Sequence, residues 1–293
     1  MVSILLILIV VVNGFFGFIF FKDFIKNKNE AFKEKGNGLF LSIWSIVLYF
    51  LSTFGISDFA LSTVLYRKSG LVTDKKLPGT LNTQCVIPVA IMALSYISVI
   101  KVDVLTLILC IISQMIGAYL GPRFVVKLSE KAIRRFMSIG LIIAAFFILA
   151  GKFNILPSGG NETGLRGIKL IIAMISLFVF GALNNIGIGS YAPTMAVIYA
   201  LGLNPGIAFP IMMGACTFSV PLGSIEFVRL GEYSRKITFF TSIFGIIGVL
   251  IAVFIVKSLN LEMVQWIVVA VILYTAISMI LEELKKPKTK QNI

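Results

Sequence analysis

Histidine is absent from this chain of 293 residues, charged residues make up only 13% of it, and acidic residues number 13 against 26 Lys and Arg. Without histidine there is no imidazole to activate a serine or cysteine nucleophile, and none to complete a metal site. Cysteine is nearly as scarce. Cys85, Cys110 and Cys216 fall inside apolar runs without C-x-x-C spacing, and read as small buried hydrophobes. A nucleotide-binding G-x-x-x-x-G-K-[ST] loop is also missing, which excludes a single-chain ATP-driven pump.

What is present is apolar. Hydrophobic residues form 58% of the chain and the mean hydropathy is +1.00, the composition of an all-α polytopic membrane protein. A net charge of +13 would suggest nucleic acid for a soluble chain. Here the Lys and Arg lie in short loops between apolar runs, so the expected partner is the lipid bilayer, with no nucleic acid. The opening MVSILLILIVVVNGFFGFIFF has no basic n-region and no A-x-A-like cleavage site, and is read as a retained span.

Seven segments are long enough to cross, at about 2–21, 81–100, 104–120, 136–151, 206–228, 237–256 and 266–281. Two more, 39–66 and 168–201, are apolar but broken near their middles by glycine and polar residues. If each broken segment returns to the side it entered, the loops 22–38, 67–80, 121–135 and 229–236 and the C-terminal tail share one side and hold 21 of the 26 basic residues. That split fits the positive-inside rule, with the N-terminus outside and the C-terminus cytoplasmic. Two full crossings there would dissolve the asymmetry.

The halves correspond at a nearly fixed offset. Gly55-Ile56 matches Gly187-Ile188, Gly70-Leu71 matches Gly202-Leu203, and Pro78 matches Pro210, each 132 residues apart. Each unit then holds a hairpin and three crossings; three is odd, so the second copy is upside down, an inverted repeat. The expected organisation is an N-terminal helix and basic loop (1–38), a first repeat (39–151), a second, inverted repeat (152–281) and a basic tail (282–293).

Interrupted helices survive in hydrocarbon only where protein buries them or a wet cavity accepts them. GISDFALST (55–63) and NNIGIGSYAPT (184–194) are such breaks, and hairpins entering from opposite sides bring their tips together near the midplane. The short helix restarting after each tip points its N-terminal amides there, an end that favours anions. Candidate ligand contacts are Ser57, Asp58, Gly187, Gly189, Ser190, Tyr191 and Thr194, with Asn82, Thr83 and Thr217 from the crossings that follow. Asp58 is either a helix cap or the carrier of a coupling proton. Ser190 is a candidate cap. The Asn82 and Thr217 clusters can bind a ligand or join helices, whereas Gly117, Gly121, Gly245 and Gly248 read as close-packing surfaces.

GISDFALSTVLYRKSGL and GIGSYAPTMAVIYALGL, with the duplicated halves around them, resemble the sulfite exporter TauE/SafE family, the toluene sulfonate uptake permeases. That likeness implies a permease in a prokaryotic cytoplasmic membrane that moves a small anion outward, often a sulfur oxyanion or organosulfonate, without a cofactor. The second copy keeps Gly187, Gly189 and Pro193 of the family's glycine-rich motif, while the first has Ser57, Asp58 and Phe59 where glycines are usual. An enzyme of the membrane aspartyl protease kind would need two carboxylates sharing a proton, and Asp58 has no second aspartate deep in a span. A non-transporting scaffold is the other alternative, but it has no need of paired breaks.

Overall fold

The computed structural model describes residues 2–54, 56–97, 102–129, 161–185 and 190–255, with scattered positions between 131 and 155. The expected span 266–281 and the basic tail lie outside the described residues. Ten helices are numbered here: α1 (Val2–Lys26), α2 (Lys28–Lys33), α3 (Gly38–Ser52), α4 (Asp58–Lys68), α5 (Leu77–Ile97), α6 (Val104–Val125), α7 (Gly167–Asn184), α8 (Tyr191–Ala200), α9 (Pro205–Leu230) and α10 (Arg235–Ile255). Among the described residues the only β pairing is an isolated bridge between Glu162 and Leu203. Among the described residues six helices are long and apolar enough to cross a membrane, and side chains such as Phe18, Ile168 and Phe254 are left exposed, as lipid-facing residues are.

Local chemistry sets the helix boundaries. Asn37 caps α3 by accepting from Leu39 N, and Asp103 caps α6 by accepting from Thr106 N at 2.9 Å. Both short helices stop alike: Gly70 and Gly202 take positive φ (60° and 88°), and the next amide folds back, Leu71 N to Tyr66 O and Leu203 N to Ile198 O. This glycine-dependent reversal satisfies carbonyls that the helix end would otherwise orphan.

Polar ties sort the loops into two ends. At one end Lys75 Nζ donates to the carbonyls of Val126 and Leu128, Ser234 N donates to Thr80 Oγ1, and Arg235 pairs with Asp23 at 2.7 Å. This end carries the basic loops. At the other end Arg166 grips Asp103 at 2.8 Å, Asp103 N donates to Thr163 O, and Asn204 N donates to Glu162 O. Accordingly α3 and α4 start and finish at the basic end, and α7 and α8 at the opposite one. At 18 residues α7 is about 27 Å long, enough to cross by length; only these end contacts show that the chain turns back after it.

Packing is reciprocal. α3 lies along α10 and α7 along α6; α5 packs on α10 and α9 on α6; α4 packs on α5 and α8 on α9. Two groups result, α3–α4–α5–α10 and α6–α7–α8–α9, joined along α5 and α9. The helix α1 lies across that seam, touching both α5 and α9. A Cβ at Gly117 would sit 2.0 Å from Phe178 O, and one at Gly248 would sit 2.1 Å from Ile46 O, so both helix pairs depend on a residue without a side chain.

The match of Pro78 with Pro210 differs in detail: Pro78 is in the first turn of α5, whereas α9 begins earlier, at Pro205, and holds Pro210 in its interior. Interior prolines orphan the carbonyl four residues before them. Two of those carbonyls are recovered by asparagine side chains. Asn13 Nδ2 donates to Thr217 O at 3.0 Å, below Pro221, and Asn185 Nδ2 to Ala118 O at 3.0 Å, below Pro122.

Candidate functional site

A buried cavity lies on the seam midway along its helices: Cys85 and Val89 face it from the middle of α5, Cys216 and Val220 from the middle of α9. Ser57, Asp58 and Phe59 enter from the start of α4, Ser190 from the turn before α8, and Asn184 from the end of α7. Its empty space is about 240 Å³ counted out to its opening, but the part open to the centre of a water molecule is only about 10 Å³. That is roughly the minimum for one water, so a polyatomic ligand fits only if the walls part.

The sequence left capping and ligand contact open for Asp58. Capping falls to Ser57, whose side chain accepts from Ala60 N at 3.3 Å, and Asp58 is the first helical residue. Its side chain is 2% exposed, and Oδ2 has no hydrogen-bond partner among the described residues. An unpartnered carboxyl oxygen in such a place is expensive, by several kcal/mol if ionised. Ser190 occupies the cap position just ahead of α8. Its carbonyl accepts from Thr194 N, as an N-cap carbonyl does, while the hydroxyl lies 3.2 Å from Cys216 Sγ.

Asn82 reaches the cavity wall indirectly. Its Nδ2 donates to Asn184 O at 3.3 Å and its Oδ1 accepts from Asn184 Nδ2 at 3.2 Å. Thr194 is buried, and its hydroxyl has no partner among the described residues, but it does not line the cavity. Thr83 and Thr217 face elsewhere: Thr83 shares a 2.7 Å hydrogen bond with Thr238 of α10, and Thr217 Oγ1 accepts from Asn13 of α1. Both hydroxyls join helices. Gly187 and Gly189 lie outside the described residues, and Tyr191 is placed only as the first residue of α8.

Cys85 and Asn184 line the cavity without having been marked as contacts by the sequence, and Cys216 lines it from within the Thr217 cluster. The two thiols are buried, as a bland reading of scarce cysteine expects, and nothing in their spacing marks them as cavity walls. A further buried chain runs beside the site: Tyr66 OH donates to Gln84 Oε1 at 2.5 Å and Gln84 Nε2 to Ser62 Oγ at 2.9 Å. It fixes α4 against α5, which holds the start of α4, and with it Asp58, at the seam. No family model, no curated protein and no solved structure matches this chain. The class the fold itself defines is a multi-pass helical membrane protein.

Proposed function

We propose that the chain is a secondary transporter that moves a small anion by alternating access at the cavity between α4 and α8. One observation carries this reading: two hairpins rooted at opposite ends of the bundle direct their short-helix starts into a single buried cavity, where Asp58 offers an unpartnered oxygen. The reciprocal packing and the matching stops at Gly70 and Gly202 support an inverted repeat. The grouping of lysines and arginines at one end supports a cytoplasmic placement for that end, with the N-terminus outside.

Chemically, the starts of α4 and α8 carry the positive ends of two helix dipoles. Ser57 takes Ala60 N and Pro193 has no N–H; the other first-turn amides lack intrahelical partners. An oxyanion can accept from them without a full counter-charge in the membrane. Asp58 then acts as a switch: protonated, it donates a hydrogen bond to the anion; ionised, it repels the anion at short range. A monoanion leaving a cell with a negative interior without a proton gains about 2.3 kcal/mol per 100 mV. One leaving together with the Asp58 proton moves no net charge and follows the concentration and pH gradients. The resemblance to sulfite exporters makes sulfite and other sulfur oxyanions or organosulfonates the first substrates to test.

The test is flux in proteoliposomes for sulfite, thiosulfate, sulfoacetate and inorganic cations, with and without a pH gradient. Anion flux that responds to the gradient is the expected result. Cation flux with no anion flux would reassign Asp58 as a cation ligand, and no flux of any kind would favour the scaffold reading.

A further inference from the structure

The two helix groups meet along α5 and α9, and the cavity sits between them. Among the described residues one polar link crosses the seam at the cavity wall itself. Asn82 of α5 and Asn184 at the end of α7 exchange two hydrogen bonds, Asn82 Nδ2 to Asn184 O and Asn184 Nδ2 to Asn82 Oδ1, and both side chains are buried. Asn82 stands little more than a turn from the basic-end start of α5, and Asn184 lines the cavity. The pair therefore lies between the cavity and the basic loops.

The corresponding positions on the other side of the cavity, by the 132-residue offset, are Gly214 and Ser52. Glycine has no side chain to offer, and the buried Ser52 hydroxyl has no partner among the described residues. Lys75 reinforces the same side: it belongs to the segment leading into α5, and it donates to Val126 and Leu128 carbonyls at the end of α6, in the other group. A duplicated architecture has thus acquired an unduplicated clasp.

We propose that the Asn82–Asn184 amide pair is the gate latch on the basic-loop side, holding the two helix groups together below the cavity until a ligand favours their separation. The inference rests on the transport reading for what passes the gate. The latch itself is a statement about which side opens. Amide hydrogen bonds inside membrane proteins shift such equilibria by about three- to tenfold each, enough to bias a two-state gate without freezing it.

The test uses Cys85, one turn from Asn82 and on the cavity wall, as a reporter, with Cys110→Ala and Cys216→Ala removing the other thiols. Labelling by a membrane-impermeant thiol reagent is timed from each face in oriented vesicles. Asn82→Ala and Asn184→Ala are each expected to raise the rate from the basic-loop face by about three- to tenfold, with little change from the opposite face. Asn184 O is main chain, so Asn184→Ala removes only one of the two bonds, and the double variant should match Asn82→Ala. The Asn82→Leu, Asn184→Leu double variant leaves no side-chain amide unpaired, and should show the same one-sided rise if a single variant fails to fold. Unchanged rates, an equal rise from both faces, or additive effects would overturn the latch. Since labelling needs no substrate, flat labelling with intact anion flux defeats the latch alone, and one-sided labelling with no flux of any solute defeats the transport reading alone.

Discussion

Asp58 concentrates the chemistry of the site because Ser57 relieves it of capping. Asp58→Asn keeps the shape, and the folded protein should survive. Anion flux that depends on a pH gradient should drop by about a hundredfold, the scale of a positioned proton-transfer group; retained coupling in proteoliposomes would remove Asp58 from the mechanism. Asn185 makes a different, purely structural prediction. Its amide serves the carbonyls of Ala118 and Gly181, so Asn185→Ala should lower stability by about 1–3 kcal/mol, measured by thermal unfolding in detergent. At this scale a sequence shows which polar residues lie in apolar runs. It does not show which way each one points: Asp58 and Thr217 looked alike as candidates, yet one faces a cavity and the other faces α1, because rotation about a helix axis is set by packing.

Pairs of helices are the next unit, and each lengthwise pair is joined at a glycine. Gly117→Ala and Gly248→Ala both place a methyl about 2 Å from a facing carbonyl oxygen, so each should separate its helices and cost more than about 2 kcal/mol. Similar losses of folded yield from the two variants are the expected outcome, and a large loss from only one would count against equivalent packing. Elsewhere the pairing is uneven: Gly181 admits Gln114 O of α6, while on the other side Tyr49 packs on Gly245 of α10.

The tie between α6 and the start of α7 depends on pH. Hydrogen bonds from Arg166 and from the amide of Thr106 hold the Asp103 carboxyl well below its ordinary range. A carboxyl depressed on folding stabilises the fold above its unfolded value, near 3.9, and that stabilisation fades as pH falls towards the folded value. Asp103→Asn should therefore destabilise at neutral pH, and the gap from the parent protein should shrink as unfolding is followed from about pH 4 downward. The capping roles of Asn37 and Asp103 follow from their place ahead of apolar runs. The early start of α9 at Pro205 and the full length of α7 do not, because composition fixes neither where a helix begins nor how far it runs before the chain breaks.

For the molecule as a whole, the arrangement of ends is the most exposed claim. Single cysteines at Lys75 and Lys131 should label from one face of the membrane, and one at Arg166 from the other. Lys75 already reaches the carbonyls of Val126 and Leu128, a span no bilayer could separate. Labelling of Lys75 and Lys131 from opposite faces would dismantle the two-ended arrangement and the proposed site with it.

Membrane residence, the two broken segments and the crowding of basic residues into a few loops were determined by the sequence alone. These follow from hydrophobicity, backbone satisfaction and charge, which act locally along a chain in lipid. Tertiary structure alone decided that Ser57, Asp58 and Ser190 share one cavity, that Thr83 and Thr217 do not, and that Asn82 clasps Asn184. Those outcomes depend on how helices distant in sequence rotate and slide until backbone meets backbone at glycine, and no local pattern encodes that registration.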